Sequence, residues 1–216
     1  VILFSAMTSY ARYGKNSSFT NSLSKEELDS ISSTELLEII HTLTMNDHRV
    51  LYYGPDNISD VKNLMLNIHN TSDLIAIEAN NLNVENEMNS NQVYVLDYDM
   101  KQAEVVMYTK GSKLNKDEYS IIKFHNEYFG GGMSSIVFQE MRESKALAYS
   151  VYSTYTIPKK INDSHYGFSY VGTQADKLSE AMKGMLGLLT QMPEANSNME
   201  TAREGILQKI RTERIT

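Results

Sequence analysis

The 216-residue chain contains no cysteine. That absence excludes disulfides, thiol catalysis and cysteine-ligated zinc, and it leaves the redox compartment open. A basic surplus is missing too: 20 Lys and Arg stand against 27 Asp and Glu, for a net charge of −7. Nucleic-acid binding needs a basic stripe, so the balance argues against that partner. No apolar run approaches the ~20 residues that span a bilayer. Residues 1–7 are apolar but lack the basic leader and small-residue cleavage site of a signal peptide. What remains, 41% hydrophobic and 22% charged, is the composition of an ordinary globular protein. The chain opens on Val1 and closes at Thr216 inside a helical pattern, so a fragment is expected.

Several chemistries lack their motifs. The histidines are His41, His48, His69, His125 and His165, and none has a second histidine three or four residues away. The residues after them match neither His-Glu-x-x-His nor His-x-x-Glu-His, so no zinc motif is present and each reads as a surface or half-buried side chain. Ser134 and Ser135 follow glycines without forming Gly-x-Ser-x-Gly, and a helix cap accounts for them. The run Gly130, Gly131, Gly132 lacks the Gly-Lys-Ser/Thr of a phosphate loop. A dinucleotide fingerprint would need glycine at 133 or 135, where Met133 and Ser135 stand. Asp97, Asp99 and Glu104 straddle a turn and read as solvated carboxylates.

The patterning alternates strand pairs with helix pairs. Residues 1–13 read as the tail of a helix stopped by Gly14. Ser24 with Glu27, and Ser32 with Glu35, are capping boxes, the second opening a helix with Leu36, Ile39, Ile40 and Leu43 on one face. Residues 1–30 are assigned to a preceding domain or linker, and 31–216 to the main domain. Strands are expected at 49–54, 74–79, 93–97, 103–109, 149–157 and 165–173, with 93–97 buried on both faces. Helices are expected over 58–69, 115–129, 136–143, 176–192 and from 198 onward. Asparagine-rich 80–92 reads as a solvated loop and 158–163 as a turn. Together these predict an α+β fold, a largely antiparallel sheet packed on one face by helices.

The most constrained stretch is 128–155. Three glycines let the backbone take a positive φ or approach another chain closely. A short helix follows, then a tyrosine-rich strand. Arg142 falls at the end of that helix and Tyr149 at the mouth of the strand. The short connection between them lets both side chains reach one spot. A guanidinium and a phenol together offer several hydrogen-bond donors, which suits a carbonyl or oxyanion and cannot hold a metal. The competing reading of the same residues is structural: Arg142 complements a helix dipole and Tyr149 is a half-buried core side chain.

The string FGGGMSS-x-x-FQEMRE-x-x-x-LAYSVYS resembles the motif of the non-catalytic, C-terminal lobes of the insulinase/pitrilysin zinc metallopeptidases, which include the mitochondrial processing peptidases. VLYYGP at 50–55 and YVGTQADKLSEAM at 170–182 extend the likeness. The resemblance implies a two-part enzyme, with zinc and its general base in another lobe or subunit and none held by this chain. It implies that Arg142 and Tyr149 reach the substrate carbonyl, and that Gly130, Gly131 and Gly132 let backbone approach the substrate or the facing lobe. The expected partners are a peptide substrate and a zinc-bearing lobe or subunit. A non-catalytic structural or adaptor subunit of the same family is the alternative. Two departures stand out: Ile136 and Val137 replace a common Arg-Leu, and Ala146 replaces a usual glycine just before Tyr149.

Overall fold

The computed structural model describes residues 2–43, 45–68, 74–75, 84–113, 115–158 and 163–213. Contacts divide the chain into two units, Val1–Arg12 together with Asn86–Thr216, and Tyr13–Glu85. The expected strand at 74–79, the loop at 80–92 and the turn at 158–163 lie partly outside the described residues.

The larger unit is built on three antiparallel strands, β1 (Gln102–Lys113), β2 (Ser150–Tyr155) and β3 (Ser164–Gln174), in the order β1-β3-β2. The register pairs Val105 with Val171 and Val151 with Val171, so these valines share one face. On the opposite face Tyr108 stacks on Tyr166 at 4.8 Å, and Tyr152 stacks on Phe168 and Tyr170 at 5.6 and 5.3 Å. Period-two alternation thus puts Val105, Val151 and Val171 on one face and Tyr108, Tyr152, Tyr166, Phe168 and Tyr170 on the other. Helix α1 (Ile2–Tyr13) lies against the aromatic face, with Phe4 on Phe168 at 4.8 Å and the Arg12 guanidinium 4.9 Å from the Tyr166 ring centre. Gly14, at φ 67°, ends α1 in the left-handed conformation that glycine adopts without strain.

The remaining helices of this unit cover the aliphatic face. A short 3₁₀ turn leads into α5 (Tyr119–His125), which continues as a π-helical turn, Asn126–Gly130. Ser135 caps α6 (Ile136–Phe138), accepting from the Phe138 N–H at 3.4 Å, and α6 runs on as a second π-helical turn, Gln139–Ser144. α7 (Leu178–Thr190) and α8 (Asn196–Thr212) complete the layer. The core joins Tyr128, Phe129, Ile136, Val137 and Met141 to Val151 and Val171 of the sheet and to Ala181, Met185 and Leu188 of α7. The Tyr128 hydroxyl donates to the Pro193 carbonyl at 2.7 Å and accepts from the Ala195 N–H at 3.0 Å, fixing the α7–α8 connection. This is the α+β architecture expected from the patterning, with α1 added to the far face.

In the smaller unit both capping boxes form. The Ser24 N–H donates to Glu27 Oε2 at 2.7 Å and the Glu27 N–H to Ser24 Oγ at 3.1 Å, opening α2 (Lys25–Ser30). Ser32 and Glu35 repeat the pattern at 2.8 and 3.2 Å ahead of α3 (Ser33–Leu43). Those bonds from Ser32 hold the Glu35 carboxyl below its usual pKa. α4 (Ile58–Ile68) follows, and α2, α3 and α4 contain no buried residue.

Two expected strands are not formed. Residues 49–54 and 93–97 carry no ladder, and Val93 and Val95 are each 89% exposed. β-branched and aromatic residues express strand preference only against a hydrogen-bonded neighbour. Within the smaller unit the described bridging is one parallel pair, Asn46 with Ile75. Tyr94 makes a side-chain contact instead, edge-on to Tyr10 at 5.4 Å.

Candidate functional site

Arg142 is carried by the π-helical turn that extends α6, where the i→i+5 spacing widens the last turn. The chain then reverses in a few residues. The Lys145 N–H donates to the Glu140 carbonyl at 3.2 Å and the Leu147 N–H to the Met141 carbonyl at 2.8 Å. Between them Ala146 takes φ 48°, the described non-glycine residue with a left-handed backbone. An L-residue there costs about 1–2 kcal/mol, and this is the position where glycine is usual in the motif. Lys177 Nζ donates to the Ala146 carbonyl at 3.1 Å, and Thr173 Oγ1 donates to the Leu147 carbonyl at 2.6 Å. The turn is therefore held by side chains from the end of β3 and the turn after it. Tyr149 then joins the sheet, its N–H donating to the Gly172 carbonyl at 2.9 Å.

The result is an open groove of about 330 Å³ whose lining includes Arg142, Glu143, Tyr149, Gln174 and Lys177. Arg142 and Tyr149, seven residues apart in sequence, are brought to the same groove. The Arg142 side chain is 49% exposed, its guanidinium lies 4.9 Å from the Phe138 ring centre, and its ion pair with Glu143 is long, Nε to Oε1 at 3.9 Å. An exposed pair at that distance contributes little, so the positive charge stays available. Tyr149 is 52% exposed, and its hydroxyl accepts from Gln174 Nε2 at 2.6 Å. Two cations against one carboxylate make the lining electropositive in a chain of net negative charge.

The glycine run does not line this groove. Gly130 is buried against β2, where a Cβ would fall inside contact distance of the Ser153 carbonyl and amide. A Cβ on Gly131 would sit 2.6 Å from the Asn126 carbonyl oxygen. Gly132 has room, its nearest neighbour being Glu127 Oε1 at 4.0 Å. Ile136 and Val137 are core residues. Local sequence pattern does not single out Gln174 and Lys177. They arrive from β3 and the following turn, and only the fold connects them to Tyr149 and Ala146.

Among the described residues no group of three or more His, Asp or Glu side chains could hold a metal ion. The described residues do not offer the ligand set of a zinc site. Among the described residues no helix is long and apolar enough to cross a membrane.

The described residues thus form an α+β lobe whose three-stranded antiparallel sheet, covered by helices, presents Arg142 and Tyr149 in one open groove. The family model that matches residues 52–199 is described as the peptidase M16 inactive domain, and the chain belongs to that family. Over 107 residues it is 33% identical to an uncharacterised zinc protease, YmxG, of Bacillus subtilis (strain 168), covering 48% of this chain and 25% of that protein. Two solved structures share the fold. A peptidase M16 inactive domain from Pseudomonas fluorescens superposes with a TM-score of 0.57 at 16% identity, over 95% of this chain and 50% of that one. A protease from Helicobacter pylori gives 0.54 at 14% identity, over 87% and 46%. The chain thus spans about a quarter of the curated relative it matches and half of the first solved structure.

Proposed function

We propose that this chain is the substrate-binding, non-zinc lobe of an M16 zinc metalloendopeptidase, closing over a peptide and supplying Arg142 and Tyr149 to the scissile carbonyl. In this reading zinc and the general base belong to a complementary lobe or subunit. The supporting observation is that Arg142 and Tyr149, half-exposed, line one electropositive groove with Arg142 only loosely paired. A guanidinium N–H and a phenol O–H are donors that strengthen as the carbonyl oxygen gains negative charge, so they act on the transition state more than on bound substrate. Gly130 and Gly131 serve this indirectly, by seating the segment that carries Arg142. Gly132, with open space around it, is the member of the run that can meet substrate backbone.

The first test is Arg142→Ala in the protein with its zinc-bearing lobe present. Loss of one such donor lowers kcat about 10²-fold to 10³-fold, while bound zinc stays at the wild-type stoichiometry. A variant with unchanged kcat would remove Arg142 from the chemistry and favour the adaptor reading.

A further inference from the structure

We infer that Gln174 is a positioning residue that aims the Tyr149 phenol into the groove and keeps its proton available for donation. The inference rests on the Arg142/Tyr149 reading and assigns a role to a residue outside that pair. Tyr149 is the first residue of its strand region to engage the sheet, through its N–H to the Gly172 carbonyl at 2.9 Å. Its side chain is half-exposed, and a mobile phenol would lose side-chain entropy on reaching a substrate.

Gln174 supplies the missing constraint. It is the last residue of β3, paired across to Gln102 of β1. Thr173 beside it is fully buried and bonded to the Leu147 carbonyl. The Gln174 backbone is therefore fixed from two sides, and its Nε2 reaches the Tyr149 hydroxyl oxygen at 2.6 Å. The direction of that bond matters. An amide N–H donates to the phenol oxygen, occupies a lone pair and leaves the phenol proton unclaimed. A donor on the oxygen also polarises the O–H and strengthens it as a donor in turn. A carboxylate at the same place would do the reverse and capture the proton.

The test uses Gln174→Leu and Gln174→Glu, each in the wild-type and Tyr149→Phe backgrounds, with the zinc-bearing lobe present. Gln174→Leu should lower kcat about fivefold to tenfold, the range for one lost hydrogen bond, with KM within about twofold of wild type. Gln174→Glu should lower it further. Neither change should cost anything more once residue 149 is Phe, because the phenol through which Gln174 acts is gone. In both variants the ¹³Cζ resonance of Tyr149 should move while the rest of the spectrum stays folded. Equal losses in both backgrounds, or an unmoved Tyr149 resonance, would overturn the positioning role and leave the Arg/Tyr reading standing. Wild-type turnover in Tyr149→Phe alone would instead bring down the underlying reading, and this inference with it.

Discussion

Ala146 and His125 show how single residues set the properties of this lobe. At φ 48°, Ala146 holds the reversal between Arg142 and Tyr149 in a conformation that glycine adopts freely. The strain of about 1–2 kcal/mol is partly offset in a glycine variant by the greater entropy of the unfolded chain. Ala146→Gly should therefore raise stability by about 1 kcal/mol, or Tm by about 2–4 °C for a chain of this size. A thermal melt showing a lower Tm would mean that the turn is not strained. His125 is a different case. Its ring packs on Phe129 at 5.2 Å and edge-on to Tyr155 at 5.1 Å, and burial pushes its pKa below 6.5. The unfolded chain then binds the proton more readily than the folded one. The contribution is intact above pH 6.5 and is lost as pH falls through the depressed folded value. His125→Phe, which keeps the ring packing, should flatten the fall in Tm between about pH 7 and pH 5. An unaltered pH dependence would place the titrating group elsewhere.

At the scale of elements, the seat of the first π-helical turn on β2 governs where α6 and its extension point. Gly130 touches the Ser153 backbone, and the Asn126 side chain extends the same contact. Its Nδ2 donates to the Tyr155 carbonyl at 2.8 Å, and its Oδ1 accepts from the Tyr155 N–H at 2.7 Å. Asn126 thereby stands in for a strand neighbour at the end of β2. Gly130→Ala must push turn and strand apart and should destabilise by about 1–3 kcal/mol in a denaturant titration. Gly132→Ala, with open space, should stay within about 0.5 kcal/mol of wild type. Equal effects would show that the run is not used for close packing. This contrast also marks what residue patterns can convey. The tyrosine-rich strand, the capping boxes and the long α7 are local features, legible because period two, a Ser-x-x-Glu spacing and a 3.6-residue stripe each stay within one element. That Arg142 and Tyr149 share a groove was legible from their short connection and their motif. That Gly130 is a packing contact was not, since Ser153 lies 23 residues further along. The strands expected at 49–54 and 93–97 failed for the complementary reason: strand-prone residues do not disclose whether a neighbour is there to pair with.

For the whole molecule, the proposed function divides between this lobe and a zinc-bearing one. This chain has the family's fold, an electropositive groove and two donors of the motif, while the described residues offer no metal cluster. Under the proposed function this lobe orients a substrate and stabilises charge on it against a second lobe, so its residues are silent until both are together. The most direct measurement is kcat for Tyr149→Phe in the zinc-loaded, two-lobed protein, because the change deletes one oxygen and leaves the ring and the fold in place. A fall of about 10²-fold or more, with zinc content and KM close to wild type, is the predicted result. Turnover at the wild-type rate would contradict it.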